Sequence, residues 1–393
     1  MYLEKKYNDF RARIRGFAER VIGPHAAKVD ETGIYPPELF SAMGKEGYLG
    51  MVVPKEYGGS GFEFLEYVMA VEELSRVCGS TGLSVAAHNG LGSSPIVRFG
   101  TEAQKKKYLP DIACGKKIAS FGLTEPQAGS DAGNTQTSAA RAKGGWKISG
   151  TKCWITNASF GEVFNLTART DPYSKGPKGI SAFIIERGWK GFSSGKKENK
   201  MGLRGSDTAF LHLDELFCPE ENMLGQEGEG FKLFMMTLDN GRVAIGAMAL
   251  GLAQGALDSA ARFANERQAF GQPIAAFQAI QWKLADMATQ IEASRHLVYH
   301  AARMKDLGLP LVKEASMAKL FASEAARFVT YQAIQILGGS GVSARFPVER
   351  MYRDMKLCEI GEGTSEIQRI VIAREILSGV ENLFGGIVAG KLS

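Results

Sequence analysis

The chain has 393 residues and a mass of 42.5 kDa, a length that indicates two or three domains. Hydrophobic residues make up 45% and charged residues 23%, so a sizeable core can form and folding needs neither disulfides nor a metal. The net charge of +5 is too diffuse for nucleic-acid binding, and a mean hydropathy of −0.11, with no apolar run approaching membrane length, predicts no membrane span.

The amino-terminal stretch and the cysteines bear on the cellular compartment. The stretch from Met1 to Tyr7 has neither an apolar signal core nor an arginine-rich transit sequence, so we expect a bacterial cytoplasmic protein, with the mitochondrial matrix after processing as the alternative. His296 and His300 have a metal-ligand spacing, but no carboxylate or cysteine with ligand spacing accompanies them, so no metal is expected. The odd number and wide spacing of the cysteines predict reduced thiols at Cys78, Cys114, Cys153, Cys218 and Cys358.

Residues 1–120 are predicted to form an α-helical domain. Aromatic and aliphatic residues recur at helical spacing over residues 5–22 and 64–77, and a helix over 36–47 begins at two prolines, which suit a first helical turn. The run from Thr101 to Gln104 matches a capping box and predicts a further short helix.

Residues 121–230 differ in character and are predicted to form a β domain. Glycine, serine and threonine become frequent, and short β-type runs cover residues 145–150, 163–167 and 180–185. Turn signals recur roughly every 8–12 residues, which favours a small β barrel or sandwich.

Residues 231–393 are predicted to form a C-terminal four-helix bundle. Amphipathic patterns cover roughly 226–268, 276–307 and 311–338, and a last one covers 364–378. Glycine and proline separate these patterns, and long helices joined by short loops are typical of a bundle. The order along the chain is therefore α, β, α, and the expected fold class is α+β multidomain.

Two segments in the β region have residue types that suit a ring cofactor. The loop from Phe121 to Asp131 offers hydroxyls and backbone amides to a polar heterocycle and a pyrophosphate, with a strand that ends in a turn as the alternative. Trp154 and Thr156 point to one face of a predicted strand, where a flat aromatic beside a hydroxyl suits such a ring. A tryptophan packed in the core is the alternative.

Two further segments combine charged residues with glycines. The arginine that ends Asp239–Arg242, and Arg267 near Gly271, suit a phosphate, with a solvated helix face as the alternative. Glu362 lies between two glycines just before a helix. A carboxylate shut into an apolar site there would have a pKa near neutrality and act as a general base. An acid that caps the helix N-terminus is the alternative.

Together these segments make the chain similar to one family, the flavin-dependent acyl-CoA dehydrogenases. The resemblance runs from the first helix to Ile376, and it depends on five motifs that occur in this order and at these separations. The motifs are Leu123-Thr-Glu-Pro-Gln-Ala-Gly-Ser-Asp131, Trp154-Ile-Thr-Asn157, Arg267-Gln-Ala-Phe-Gly271, Gln335-Ile-Leu-Gly-Gly339 and Glu362-Gly-Thr-Ser-Glu-Ile-Gln368.

The resemblance implies FAD bound between the β domain and the helical bundle. It implies that Thr124 bonds the pyrimidine edge of the flavin, that Trp154 covers the ring and that Thr156 bonds the N5 side. It further implies that Arg267, Gln278 and the stretch from Gln335 to Gly339 come from a neighbouring subunit and hold the adenine half. The implied cofactor-binding residues are Phe121, Leu123, Thr124, Gly129, Ser130, Trp154, Ile155, Thr156, Arg267, Phe270, Gln278, Gln335, Gly338, Gly339, Thr364, Ser365 and Glu366.

The resemblance also implies the chemistry. Glu362 would abstract the α-proton of an acyl-CoA while its backbone N–H and a ribityl hydroxyl of FAD stabilise the enolate oxygen. A hydride would pass from the β-carbon to the flavin, and the product would be a trans-2-enoyl-CoA. The implied substrate-binding residues are Ser130, Asp239, Asn240, Gly241, Arg242, Gly363 and His88.

Departures from the family pattern narrow the expected substrate to a short, branched or cyclic monocarboxylic acyl-CoA. Gly82 stands where glutaryl-type members have an arginine, and Gly241 stands where some branched-chain members place the base. Gly361 replaces a common tyrosine, which leaves room for a branched or cyclic acyl group unless a neighbour fills the space. His88 maps near the pocket floor, where it would favour compact acyl groups, or else it is simply bonded to a backbone carbonyl.

The resemblance implies a homotetramer, a dimer of dimers, which passes electrons to an electron-transferring flavoprotein in fatty acid metabolism. One alternative is an acyl-CoA oxidase, in which oxygen reaches the reduced flavin, although such oxidases are usually longer. Another is a non-catalytic assembly factor, which the intact Glu362 argues against.

Overall fold

The computed structural model describes residues 3–388, with side chains as far as Ser378. Helices come first, a sheet follows, and helices end the described chain. The largest cluster of buried residues extends from the first helix into the C-terminal helices, and two smaller clusters lie on opposite faces of the sheet. This arrangement confirms the α+β multidomain class and the α, β, α order.

The amino-terminal helices follow the predicted pattern, with one omission. The predicted helix over residues 5–22 is an α-helix that continues as a π-helical turn, and the capping box at Thr101 is present. The segment 79–99 was not predicted as helical, because its small residues are buried all round and show no amphipathic period. The helices are α1 (Lys5–Phe17), α2 (Ala26–Thr32), α3 (Pro37–Lys45), α4 (Phe64–Val77), α5 (Gly79–Ala86), α6 (Ser94–Phe99) and α7 (Glu102–Ala113), with π-helical turns at Ala18–Ile22 and Ala87–Ser93.

The middle region forms one eight-stranded sheet, which confirms a β domain there. The strand order is β6-β7-β3-β2-β4-β5-β8, and β1 pairs in parallel with β4. Almost every residue of β4 and β5 is buried, because one face of the sheet packs on helices and the other on its own second cluster. The strands are β1 (Ala119–Gly122), β2 (Ser138–Ala142), β3 (Gly145–Thr156), β4 (Val163–Arg169), β5 (Ile180–Glu186), β6 (Phe192–Ser194), β7 (Thr208–Pro219) and β8 (Met223–Leu224).

The C-terminal region contains the predicted long helices and one that was not predicted. The missed helix, α11, carries buried apolar residues at Val348, Met351, Met355 and Cys358, a helical spacing that the sequence displays. A short hairpin of β9 (Gln268–Ala269) and β10 (Gln272–Pro273) joins the first two helices. The helices are α8 (Gly230–Glu266), α9 (Gln278–Asp306), α10 (Val312–Leu337), α11 (Val348–Ile360) and α12 (Ser365–Val388).

Helix α8 corrects one expectation from the sequence. Within residues 3–388, this helix is long and apolar enough to cross a membrane by length and composition, although we expected no such run. The protein buries 78% of its most apolar stretch, and at Gly251 and Gly255 the helix approaches the backbone of α4 closely. The apolar character of α8 therefore matches its place between the amino-terminal helices and the bundle.

Packing around α8 also brings the loop after β1 close to the bundle. Phe234 and Leu238 of α8 belong to the same buried cluster as Leu123, which follows β1. Leu91, in the π-helical turn Ala87–Ser93, packs against this cluster. Segments far apart in sequence thus meet along α8, close to its polar segment Asp239–Arg242.

Candidate active site

Glu362 lies on the short loop between the end of α11 at Ile360 and the start of α12 at Ser365. Its φ of 56° and the φ of 93° at Gly363 are in the left-handed region, where a residue with a side chain is strained. The hydroxyl and carbonyl of Thr364 accept N–H groups from the first turn of α12. Thr364 therefore caps the N-terminus of α12, the role that was the alternative for Glu362.

The Glu362 carboxyl points into a space that Gly241 leaves open. A Cβ at Gly241 would lie 1.8 Å from Glu362 Oε2 and 3.1 Å from Leu91 Cδ2, so a side chain there would collide with the carboxyl. Oε2 is shielded from solvent and has no hydrogen-bond partner among the described residues. A buried, unpaired carboxyl oxygen is costly in a fold, and such groups mark sites that a ligand completes.

The electrostatic surroundings keep this carboxyl near its titration point. Burial raises the pKa of Glu362 to about 7, because the charged form loses its hydration. The positive charges of Lys319 and Arg242 oppose this effect and lower the pKa. A carboxyl with this pKa is ionised in a large fraction of molecules at neutral pH and still basic enough to accept a proton.

The segment Asp239–Arg242 lies on α8 beside the same carboxyl. Arg242 is buried, and its Nη1 donates to Asp239 Oδ1 at 2.8 Å, while its Nε has no partner in the described part of the chain. Burial lowers the pKa of the Arg242 guanidinium, and the charges of Asp239 and Glu362 counteract this. Asn240 is also buried. The segment that the resemblance assigns to the CoA moiety thus adjoins Glu362.

The loop after β1 is anchored at its start and open at its end. Phe121 stacks on Phe234 of α8 with the ring centroids 4.2 Å apart, and Leu123 is buried. The carbonyl of Thr124 accepts the N–H of Cys153 at 2.9 Å, which fixes the loop against β3. The exposed end of the loop contains Gly129 and Ser130.

Trp154 is a surface residue, so the alternative of a core tryptophan is wrong. It is 58% exposed and has a φ of 59°, at an irregularity in the pairing of β3 with β7, while the next residue, Ile155, is buried. The hydroxyls of Thr124 and Thr156 form no hydrogen bond with any of the described residues. An exposed indole beside unpaired hydroxyls fits a ring cofactor such as the flavin of FAD.

A buried ion pair beneath this surface was not singled out from the sequence. Lys152 Nζ lies 2.7 Å from Glu125 Oε1, and both side chains are inaccessible to solvent. Glu125 also accepts the backbone N–H groups of Gln136 and Thr137. Burial lowers the pKa of Lys152 to about 8 against the opposing charge of Glu125. The pair thereby joins the Thr124 loop to strand β3 and to the segment that precedes β2.

Most of the residues expected to serve a neighbouring subunit face solvent in the single chain. Phe270 is 94% exposed and has a φ of 51°. Within one chain these residues do not lie beside Glu362 or Trp154. This position is compatible with a role in the site of a partner subunit. Of the residues expected from a neighbouring subunit, Arg267, Gln278, Gln335, Gly338 and Gly339 are exposed, as is the implied cofactor residue Phe270, whereas Ile336 and Leu337 are buried. In the Glu362 loop Ser365 is buried while Glu366 is exposed.

His88 is buried and bonded to backbone, as the alternative interpretation held. Its Nε2 lies 3.1 Å from the carbonyl oxygen of Leu49 and 3.2 Å from that of Ile112, and its Nδ1 accepts the N–H of Ala119 at 3.1 Å. Burial lowers the pKa of His88 to about 4, although the carbonyl contacts raise it. A neutral ring with both nitrogens engaged has no polar group left for an acyl chain.

Two glycines singled out for specificity have different surroundings. A Cβ at Gly82 would lie 1.9 Å from Ser75 Oγ of α4, so an arginine does not fit there without rearrangement. A Cβ at Gly361 would have its nearest neighbours in Leu357 at 3.5 Å, an ordinary contact. Packing within the described chain therefore requires a glycine at Gly82 but not at Gly361.

The described residues contain no group of three or more histidine, cysteine, aspartate or glutamate side chains placed to hold a metal ion. His296 lies 3.3 Å from Glu292 on the exposed face of α9. The five cysteines are free thiols, and only Cys114 is exposed.

Comparison with known proteins identifies the family of the three regions of the chain. Models of the N-terminal, middle and C-terminal domains of acyl-CoA dehydrogenases match residues 4–116, 120–216 and 228–377. The chain is 49% identical over 366 residues to the short-chain specific acyl-CoA dehydrogenase of Clostridium acetobutylicum, an alignment that covers 93% of this chain and 96% of the relative.

Two solved structures are similar along almost the whole chain. Butyryl-CoA dehydrogenase from Megasphaera elsdenii superposes with a TM-score of 0.93 and 43% identity, covering 96% of this chain and 99% of that one. A chain from a structure described as the electron transferring flavoprotein of Acidaminococcus fermentans superposes with a TM-score of 0.94 and 45% identity, covering 96% and 99%.

Proposed function

The chain belongs to the acyl-CoA dehydrogenase family, and we propose that Glu362 is the base with which it oxidises a short acyl-CoA. It is a FAD-dependent acyl-CoA dehydrogenase of the short-chain type. The observation that carries the role of Glu362 is the position of its carboxyl, shielded from solvent beside Gly241 with a pKa raised to about 7 by burial. Replacement of Glu362 with glutamine is the direct test, and it should lower kcat/KM at least about a hundredfold.

Two groups of the Glu362 residue act together in this proposal. A thioester α-proton is too weakly acidic for a free carboxylate, so the enolate oxygen needs hydrogen-bond donors. The backbone N–H of Glu362 has no acceptor among the described hydrogen bonds, and we assign it to the thioester carbonyl. The carboxylate accepts the α-proton, and bound FAD supplies the acceptor for the hydride that leaves the β-carbon.

Thr124, Trp154 and Thr156 are proposed to hold the flavin. The support for this is the exposed indole and the two unpaired hydroxyls at one end of β3. The other cofactor residues that the resemblance implies are proposed to contact FAD as well, and Arg267, Gln278, Gln335, Gly338 and Gly339 are assigned to the cofactor of a neighbouring subunit. The CoA moiety is assigned to Ser130 and to the α8 segment beside Glu362.

The substrate is proposed to be a short, branched or cyclic monocarboxylic acyl-CoA. Gly82 offers no charged group to a distal carboxylate, its packing on Ser75 leaves no space for an arginine without rearrangement, and Gly361 leaves room for a wider acyl group. The support for a short chain is the similarity to a short-chain specific relative and to a butyryl-CoA dehydrogenase. Because both ring nitrogens of His88 are bonded to backbone, the histidine offers no polar contact at the pocket floor.

Activity with acyl-CoAs of increasing length should peak at a short chain. An apolar pocket gains about 0.8 kcal/mol per buried methylene, and each carbon beyond the pocket floor loses this gain and adds a clash. We expect kcat/KM to fall at least about tenfold per two carbons beyond about eight carbons. The measurement is a panel of straight, branched, cyclic and glutaryl-CoA substrates, and a maximum at palmitoyl-CoA or glutaryl-CoA would overturn this specificity.

The electron acceptor is proposed to be an electron-transferring flavoprotein. The similarity to a chain from a structure of such a flavoprotein supports this acceptor over oxygen. After anaerobic reduction by a short acyl-CoA, stopped-flow mixing with the flavoprotein should reoxidise the FAD faster than mixing with oxygenated buffer. Faster reoxidation by oxygen would favour the oxidase, and failure of every acyl-CoA to reduce the flavin would favour the assembly factor.

The oligomer is proposed to be a homotetramer in which subunits complete each other's FAD sites. The support is the exposure of Arg267, Gln278, Gln335, Gly338 and Gly339 in the single chain. Dilution of the holoenzyme into monomers should release FAD, which sedimentation with absorbance detection at a flavin wavelength measures. A monomer that keeps its flavin would contradict the shared site.

The compartment is proposed to be the bacterial cytoplasm, with the mitochondrial matrix as the alternative. The support is the similarity to bacterial relatives. Fractionation of source cells, with the acyl-CoA dehydrogenase activity followed in each fraction, tests the proposal.

A further inference from the structure

We infer that Lys319 is a positioning residue: it holds the Glu362 loop in its strained conformation and keeps the base ionised at neutral pH. The inference rests on the proposed role of Glu362 as the base. Lys319 lies in α10, 43 residues before Glu362, and it is outside the five motifs that carry the family resemblance.

The contact between Lys319 and the loop is direct. Lys319 is fully buried, and its Nζ donates a hydrogen bond to the carbonyl oxygen of Gly363 at 2.7 Å. Gln368 Nε2 donates to the same oxygen at 2.8 Å and to the carbonyl oxygen of Glu362 at 3.2 Å. Two side chains from different helices therefore fix consecutive carbonyls of the loop.

The loop needs such an anchor because its backbone is strained. Glu362 has a φ of 56°, a conformation that costs free energy in a residue with a side chain and persists only when surrounding contacts fix it, whereas Gly363 adopts its φ of 93° without strain. The same backbone presents the Glu362 N–H that we assign to the thioester. Loss of the anchor would therefore disturb the base and the hydrogen-bond donor together.

The charge of Lys319 has no carboxylate of its own. Among the described residues, it takes part in no ion pair within 4.0 Å. Arg242, the other cation near the base, is paired with Asp239 at 2.8 Å, and Glu359 is paired with Arg327 at 3.2 Å and Lys356 at 2.5 Å. Of these two cations, both in the described part of the chain, Lys319 is therefore the one whose positive charge no carboxylate pairs within 4.0 Å.

Charged and titratable groups face this site from every helix packed around it. Burial lowers the pKa of Lys319 to about 8, and nearby Cys358, Glu362 and Glu359 raise it, so that it stays mostly protonated at neutral pH. Burial in turn raises the pKa of Glu362, and the positive charge of Lys319 opposes this rise more strongly than that of Arg242. The groups are Tyr67 of α4, Asp239 and Arg242 of α8, Lys319 of α10, Cys358 and Glu359 of α11, and Arg374 of α12.

The test is the pH dependence of kcat/KM, whose acid limb reports the base of the free enzyme. The base works only when deprotonated, so activity rises with pH through its pKa. In wild type this limb should lie near pH 7, and Lys319→Met should move it to higher pH by about one unit, because an adjacent opposite charge favours the ionised form. Lys319→Arg keeps the charge and should return the limb toward its wild-type position.

Matched variants separate charge from packing. Gln368→Met removes a neutral donor from the same carbonyl and should lower the plateau rate without moving the acid limb. Lys313→Met removes a half-exposed charge from the same helix and should change neither quantity. Lys319→Gln serves as the second charge-removing variant if Lys319→Met does not assemble with FAD, and it should move the acid limb in the same direction.

An acid limb at the wild-type pH in both Lys319→Gln and Lys319→Met, or in whichever of them assembles, would overturn the inference. This result differs from failure of the proposed function, which would show as retained activity in Glu362→Gln. The reduction of bound FAD by acyl-CoA in a single turnover gives a second readout of the same limb that is independent of the electron acceptor.

Discussion

Replacing Glu362 with glutamine is expected to leave the protein folded and loaded with FAD but unable to remove the α-proton. A positioned general base contributes about 10²–10⁴-fold to the rate, so kcat/KM should fall by at least that factor. Glutamine keeps the size of the side chain beside Gly241 and removes only its basicity. Single-turnover bleaching of the flavin by a short acyl-CoA measures the loss without a contribution from the electron acceptor.

A matched replacement of another glutamate controls for general effects. Glu324 lies on α10 and pairs at the surface with Arg369, so Glu324→Gln should leave the bleaching rate nearly unchanged. Retention of more than a tenth of the wild-type rate in Glu362→Gln would show that another group accepts the proton. The unaltered flavin spectrum of the variant would confirm that the site itself is intact.

The largest effect on stability is expected from Lys152→Met. The change leaves the carboxylate of Glu125 buried without its cation, and breaking a buried ion pair in this way costs about 3–5 kcal/mol of unfolding free energy. Burial alone would raise the pKa of Glu125, but the Lys152 charge and three hydrogen bonds hold it below its usual range. Because the pair fixes the Thr124 loop, the midpoint for flavin release in urea should fall together with the midpoint for unfolding.

The same strand supplies the control for this prediction. Lys147 lies 2.8 Å from Glu215 on the exposed side of β3, where solvent screens the pair. Lys147→Met should therefore leave both midpoints in place. Equal midpoints for Lys147→Met and Lys152→Met would contradict the role of the buried pair, and the double variant Lys152→Met with Glu125→Leu should recover part of the loss.

Local signals were sufficient for most of the architecture. The apolar spacing in α1 and α4, the capping box at Thr101 and the prolines before α3 depend on neighbouring residues only, and the structure contains each of these features. The buried segment 79–99 was missed because a helix surrounded by other helices needs no polar face. Helix α11 was not predicted, although its apolar spacing is visible and Pro347 precedes its first turn.

The candidate site shows the same division between local and distant information. Glu362 was found because two glycines flank it, and Trp154 because a threonine follows at strand spacing. Lys319 and Lys152 were missed because a single lysine in a helix or strand pattern looks like a solvated residue. Their burial is visible only when the partner segments, the Glu362 loop and the Thr124 loop, are in place.

The sequence by itself determined the α, β, α order, the family and the residue types available for catalysis, because these depend on patterns between near neighbours and on contiguous motifs. Only the tertiary structure decided what the candidate residues do there. In the folded chain both ring nitrogens of His88 are bonded to backbone, and the carboxyl of Glu362 lies against Gly241. The buried Lys319 donates a hydrogen bond to the Glu362 loop. The physical reason is that burial and electrostatic interaction act between groups close in space, and those groups come from helices far apart along the chain.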